Sequence, residues 1–192
     1  LVAAGSFRGS YAPFYAARSL VFEDASRERS MADLERAARL DPAQWRYGRM
    51  LADRQLRQGA VAKALATARA YAARFPDNYI LGMLYAKALL ANARYQDGAA
   101  KLAGLNVIPY EGSIEGRRLY REAHLMLAVE ALTKGDTRSA RREVDAARLW
   151  PETLGAGERA VLMNAPARAP GPPLSGGGTY DEVAHRATDV RP

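Results

Sequence analysis

The sequence contains no cysteine and only two histidines, at positions 124 and 185. The first absence excludes a disulfide framework, a thiolate nucleophile and any cysteine-based metal site, and gives no sign of an oxidising compartment. The second leaves little for a zinc site. Phe and Trp are scarce as well, four and two in 192 residues. A core built from this chain must therefore be largely Ala and Leu, which suits closely packed helices. No apolar run reaches the roughly 18 residues of a membrane helix, and residues 1–14 lack the charged and apolar regions of a signal peptide. The chain begins with Leu rather than Met. The expectation is a processed product or a fragment of something longer, located in the cytoplasm, with no cofactor and no metal.

Charge is abundant but uninformative. The net charge is +7, carried by 24 Arg and only four Lys. That ratio, beside plentiful Ala, is what a GC-rich genome produces without selection for phosphate contacts. Most arginines are interleaved with Asp and Glu at helical spacing, as in ASRERSMADLERAARLD, where i,i+3 and i,i+4 pairs on a solvated face account for them. A basic nucleic-acid-binding module is retained only as a second alternative.

After Pro13, four prolines at 42, 76, 109 and 151 punctuate the first 155 residues, and the first two intervals are 34 and 33 residues, the third 42. Each interval holds a helix, a corner and a second helix that ends near the next proline, whose ring and missing N–H stop it. The reading is helices at 11–22 and 27–40, the second with Leu34, Ala37 and Ala38 as its apolar face and either Ser26 or Ser30 as N-cap. A helix at 43–58 follows, then Gly59 and a stripe of Val61, Ala64, Leu65, Ala68, Ala72 and Phe75. After Pro76 come Leu81, Leu84, Tyr85, Ala88 and Leu89, then a short helix from Tyr95 to about Leu105. Ser113 is expected to cap a helix to Thr133 with Leu125, Ala128, Val129 and Leu132 on its inner face. Asp136 caps the last helix, with Ala140, Val144 and Ala147 inward. No strand is expected. Residues 1–10 read as a flexible segment. The stretch 156–192 is rich in Gly and Pro, carries no periodic stripe, and is expected to be a disordered tail or the product of an altered reading frame.

A period near 34, helix pairs, Gly-containing corners, a small residue early in the second helix and a closing Pro resemble the tetratricopeptide repeat across residues 11–155. The matching residues are Gly59, Ala64 and Pro76, then Tyr95, then Ala128, Gly135, Ala140, Ala147 and Pro151; Gly98 departs from the family's preferred Ala. The stretch IPYEGSIEGRRLYREAHLMLA, the KGD corner and ARLWPETLG are similar to the repeat region of large bacterial proteins that also carry a carbohydrate-enzyme-like domain. The fold implied is all-α, a right-handed superhelix of about four antiparallel helix pairs. Such an array exposes the first helix of each pair on a concave surface.

Placed on that surface are Tyr15, Ser19, Arg46, Arg49, Asp53, Arg57, Ile80, Met83, Lys87 and Leu125. Arg46, Arg49, Arg57 and Lys87 would make it basic and favour an acidic or carboxylate-ended peptide. Asp53 stands where the family's chaperone-tail binders keep an amide. The loop residues Tyr110 and Glu111 resist explanation by packing, and Trp150 suits either a sugar platform or closure of its helix pair. His124, near Glu122, Glu130, Arg117 and Arg118, reads as a hydrogen-bonded histidine rather than a catalyst. Glu111, Glu115, Glu122, Glu130 and Glu152 could supply a glycosidase-like carboxylate pair, but solvated surface positions are the plainer reading. GSIEG lacks the spacing of a phosphate loop. The function expected is a non-catalytic protein-interaction module whose partner-binding residues are Arg46, Arg49, Asp53, Arg57, Met83, Lys87, Tyr110, Glu111 and Trp150. The first alternative is an accessory repeat region of a carbohydrate-active protein.

Overall fold

The structure, a computed structural model, describes residues 11–21, 26–107 and 112–154. Eight α-helices account for most of them: α1 Ala12–Val21, α2 Arg27–Leu40, α3 Trp45–Arg57, α4 Val61–Arg74, α5 Tyr79–Ala91, α6 Tyr95–Ala103, α7 Ser113–Thr133 and α8 Thr137–Arg148, followed by a 3-10 turn at Glu152–Leu154. Among the described residues there is no strand. Expectations that fall on residues 1–10, Phe22, 108–111 and 155–192 lie outside the described residues. Each helix packs on its neighbours in sequence, and α3 also touches α5, as α5 touches α7.

Backbone chemistry repeats along the chain. At the end of α3 the Gly59 N–H bonds the Leu56 carbonyl at 3.0 Å and the Ala60 N–H bonds the Gln55 carbonyl at 2.9 Å. The end of α5 repeats this with Ala93 to Leu90 and Arg94 to Leu89, and the end of α7 with Gly135 to Leu132 and Asp136 to Ala131, all at 2.9 Å. These are three Schellman ends, each turning the chain through a left-handed residue: Gly59 at φ 73°, Ala93 at 56° and Gly135 at 75°. The proline corners also match. Gln44 N–H bonds the Asp41 carbonyl at 3.2 Å, and Asn78 N–H bonds that of Phe75 at 3.1 Å. Asn78 and Asp136 then cap α5 and α8 with their side chains, satisfying N–H groups that a helix start leaves unpaired.

Small residues let the helices approach. Ala64, Ala68 and Ala72 of α4 and Leu81, Leu84, Ala88 and Leu89 of α5 are buried as expected. Gly98 has a local reason for departing from Ala, since a Cβ there would lie 2.1 Å from Leu90 Cδ1. The largest cluster joins Met83, Leu90, Leu102, Leu105, Val107, Leu119, Ala123 and Leu154. Leu154 reaches it because the exit after α8 folds back: the Val107 N–H bonds the Thr153 carbonyl at 3.1 Å, and Thr153 Oγ1 donates to the Ala103 carbonyl at 3.0 Å. Complete burial of this leucine is worth about 1.5–3 kcal/mol, which gives the LWPETL segment a packing role.

Two expectations are corrected and one alternative is settled. Ser113 is the fully buried first residue of α7, and the cap position is Gly112, at φ 83°, with no side-chain cap. Its Cβ-free backbone makes room for Met83 Cε, which would sit 2.8 Å from an added Cβ. Ser26 caps α2, whereas Ser30 is buried and donates to the Ser19 carbonyl at 2.5 Å. On α7 only Ala128 of the expected inner face is buried; Leu125, Val129 and Leu132 are 39%, 50% and 57% exposed. The buried face is instead Ser113, Gly116, Leu119 and Ala123, because α6 and the returning exit segment cover the first half of this long helix.

Candidate partner-binding surface

Because α3, α5 and α7 lie side by side, residues one turn apart on a face of α3 and within two turns on a face of α5 reach a common cleft of about 120 Å³. Its lining is Arg49 and Asp53 from α3, Ile80, Met83, Leu84 and Lys87 from α5, and Glu115 from α7. Lys87 Nζ lies 3.7 Å from Asp53 Oδ1, with both side chains more than two-fifths exposed. Such a pair is weakly held and readily exchanged for another. Arg49 and Glu115 have no ion-pair partner among the described residues. Met83, at 6% exposure, forms the floor and packs against the cap residue Gly112 and Gly116 of α7. The cleft thus offers two cations, two anions and an apolar base.

Other residues expected on this surface lie elsewhere. Ser19 is fully buried and its Oγ donates to the Ala16 carbonyl at 2.7 Å. Tyr15 is half-buried, with the guanidinium carbons of Arg36 at 4.6 Å and Arg18 at 5.2 Å from its ring centre. Arg46 is exposed at the start of α3, 5.0 Å over the Trp45 ring, and Arg57 is exposed at its end; neither lines the cleft. Tyr110 and Glu111 fall outside the described residues, as does the side chain of Glu152.

Leu125 and Trp150 line a second, larger groove of about 630 Å³ between α7 and α8, together with Ile114, Arg117, Arg118, Arg121, Val144, Ala147 and Arg148. Arg117 covers one face of the Trp150 ring at 4.9 Å, and the half-buried Trp150 packs against the largest core cluster. Sequence reasoning missed this groove as a unit. The signal was the stripe Ile114, Arg118, Arg121 and Leu125, spaced i, i+4, i+7, i+11 along one face of α7.

His124 is tied across to α8 by a 2.6 Å contact between Nδ1 and Glu143 Oε2, beneath the Tyr120 ring at 4.4 Å. Burial, and then the Glu143 charge, push the Tyr120 phenol above its usual range. This is a helix-to-helix link, and neither groove is lined by His124. Of the remaining carboxylates, Glu122 pairs with Arg118 at 3.3 Å on the exposed face. Among the described residues no group of three His, Asp or Glu side chains is placed to hold a metal, and no helix is long and apolar enough to cross a membrane. No protein-family model matches the chain, and no curated protein does.

Proposed function

We propose that the chain is a tetratricopeptide-like helical array acting as a non-catalytic interaction module, with the cleft between α3, α5 and α7 receiving an acidic or carboxylate-ended peptide segment. The recurrence of the Schellman ends and of the proline corners supports the array reading. The observation that carries the binding reading is the convergence of Arg49, Asp53, Ile80, Met83, Lys87 and Glu115, from three alternate helices, on one cleft. A peptide carboxylate there replaces Asp53 as the partner of Lys87 and takes a charge-assisted hydrogen bond from Arg49. Glu115 and Asp53 then accept from the peptide's N–H groups, and Ile80 packs against an apolar side chain.

An array of immobilised peptides with free and with amidated C-termini tests this. The strongest free-carboxylate binders lose affinity by about tenfold or more, roughly 1.4 kcal/mol, when Arg49→Glu and Lys87→Glu are introduced together into a chain whose helical circular dichroism is unchanged. Equal binding by the double variant removes the cleft from the function.

A further inference from the structure

The groove between α7 and α8 is built like an interior contact of the fold whose covering helix is missing among the described residues. Aligning Tyr95 with Thr137, the first residues of α6 and α8, pairs Met83 with Leu125, Leu90 with Leu132, Leu102 with Val144 and Leu105 with Ala147. Inside the fold Met83, Leu90, Leu102 and Leu105 are each 6% exposed or less. Met83 is covered by the start of α7, where Gly112 and Gly116 leave it room. Of their counterparts, Leu125 and Leu132 are 39% and 57% exposed, beside Val129 at 50% and Ile114 at 76%. The surface therefore has the shape and chemistry of a helix seat.

Charge says which helix it takes. The groove lining holds four arginines, at 117, 118, 121 and 148, with five apolar residues and no Asp or Glu. Of these cations, Arg118 reaches Glu122 at 3.3 Å and Arg148 reaches Asp145 only at 3.9 Å, both pairs exposed. The interior contact sets the precedent: α7, lying on α5, places Glu115 in the same cleft as Arg49 and Lys87. The chain's own residues after 154 are a poor match, with four acidic and four basic side chains and five prolines in 156–192. A nucleic-acid strand would set phosphates over the apolar strip of Leu125, Val129 and Leu132. A second copy of this arginine-rich chain brings more positive charge.

We propose that the α7–α8 groove is a second docking site, which binds an amphipathic helix of a partner protein that carries Leu-type side chains on one face and Glu or Asp along its flank. The apolar face seats on Leu125, Val129 and Val144 while the acidic flank reaches Arg118, Arg121 and Arg148. This mode, a helix in a groove read by i, i+3, i+4, i+7 anchors, is independent of the α3–α5–α7 cleft.

The probe is a fluorescent synthetic helix with Leu at i, i+3, i+4 and i+7 and Glu beside them, read by anisotropy against the full chain. Its controls are the same peptide with Lys for Glu and a scrambled version. Expected are saturable binding of the Glu helix alone, weakening with added salt. Affinity falls by about tenfold or more in Arg118→Glu plus Arg121→Glu, and separately in Leu125→Asp, all exposed positions, while Arg49→Glu plus Lys87→Glu leaves it unchanged. A chain ending at residue 154 binds as well as the full chain; a large gain on truncation would make the following residues the occupant and overturn the proposal. Concentration-dependent dimerisation blocked by Leu125→Asp, displacement of the peptide by a single-stranded oligonucleotide at lower concentration, or equal binding of the Lys helix would each overturn it as well.

Discussion

At the residue scale, the most specific polar link in the fold joins α1 to α2. Asp33 is buried, and Arg18 grips it with two hydrogen bonds, Nε to Oδ2 at 2.6 Å and Nη2 to Oδ1. The hydrogen bond from Arg18 holds the Asp33 carboxyl below its ordinary value of 3.8; burial opposes this, and the charges of Arg18, Arg29 and Arg36 reinforce it. A carboxyl whose folded value is depressed contributes stability above its unfolded value, and that contribution disappears as pH falls through the folded value. The chain is therefore expected to lose urea resistance as pH drops below 3.8. Asp33→Asn, isosteric but uncharged, is less stable than the parent at neutral pH, and the gap closes on acidification. The depressed carboxyl of Asp136 acts in both chains alike, so the difference isolates Asp33. Parallel urea midpoints across that range, with a constant gap, would show that shape rather than charge holds the pair.

Individual elements show why some of the fold was legible in the chain and some was not. Proline corners and Gly59 and Gly135 announced helix ends because only those residues suit the geometry. The third Schellman end escaped notice because Ala93 occupies its left-handed position, at φ 56°. The β-carbon is strained there by about 1–2 kcal/mol, partly offset by the larger unfolded-state entropy that Gly would bring. Ala93→Gly is thus expected to stabilise the protein by up to about 1 kcal/mol, the strain less the entropy term, seen as a higher urea midpoint at unchanged slope. A lower midpoint would mean the corner is not strained at Ala93. Helix α5 was legible at Leu81, Leu84, Ala88 and Leu89, but Met83, Ala86 and Leu90 are buried as well, since α3, α4, α6 and α7 pack against it, and so wide a buried face exceeds a single stripe. The stripe on α7 was real, yet its burial depended on a covering helix that the described residues do not supply. Arg49, Asp53, Met83 and Lys87 met because their spacing keeps them on one face. Arg46 and Arg57, one turn further out on α3, passed the same spacing test, and the helix ends carry them clear of the cleft.

At the scale of the whole molecule, the main contacts among the described residues join neighbouring and next-but-one helices, with the exit turn returning to α6, so stability is graded along the chain rather than shared through one centre. Among the described residues the core falls into three clusters. The one joining α5, α6, α7 and the exit turn has ten buried residues, and the next, across α3, α4 and α5, has six. The cluster linking α2 to α3 has only Leu34, Ala38 and Leu51, with Met31, Tyr47 and Met50 against it. Between α1 and α2 the polar links of Arg18 to Asp33 and of Ser30 to Ser19 supplement a small apolar contact, to which the exposed Phe14, Leu20 and Val21 contribute little. Amide hydrogen exchange is therefore expected to be slowest in α5, α6 and the first half of α7 and fastest in α1 and α2. Leu34→Ala sharpens the test, because removing a fully buried leucine costs about 2–5 kcal/mol. If α1 and α2 open as their own unit, that loss raises exchange there by about thirtyfold or more while the amides of α5 and α6 keep their rates. If every helix accelerates together, opening is global, and the short range of the contacts does not set how the molecule comes apart.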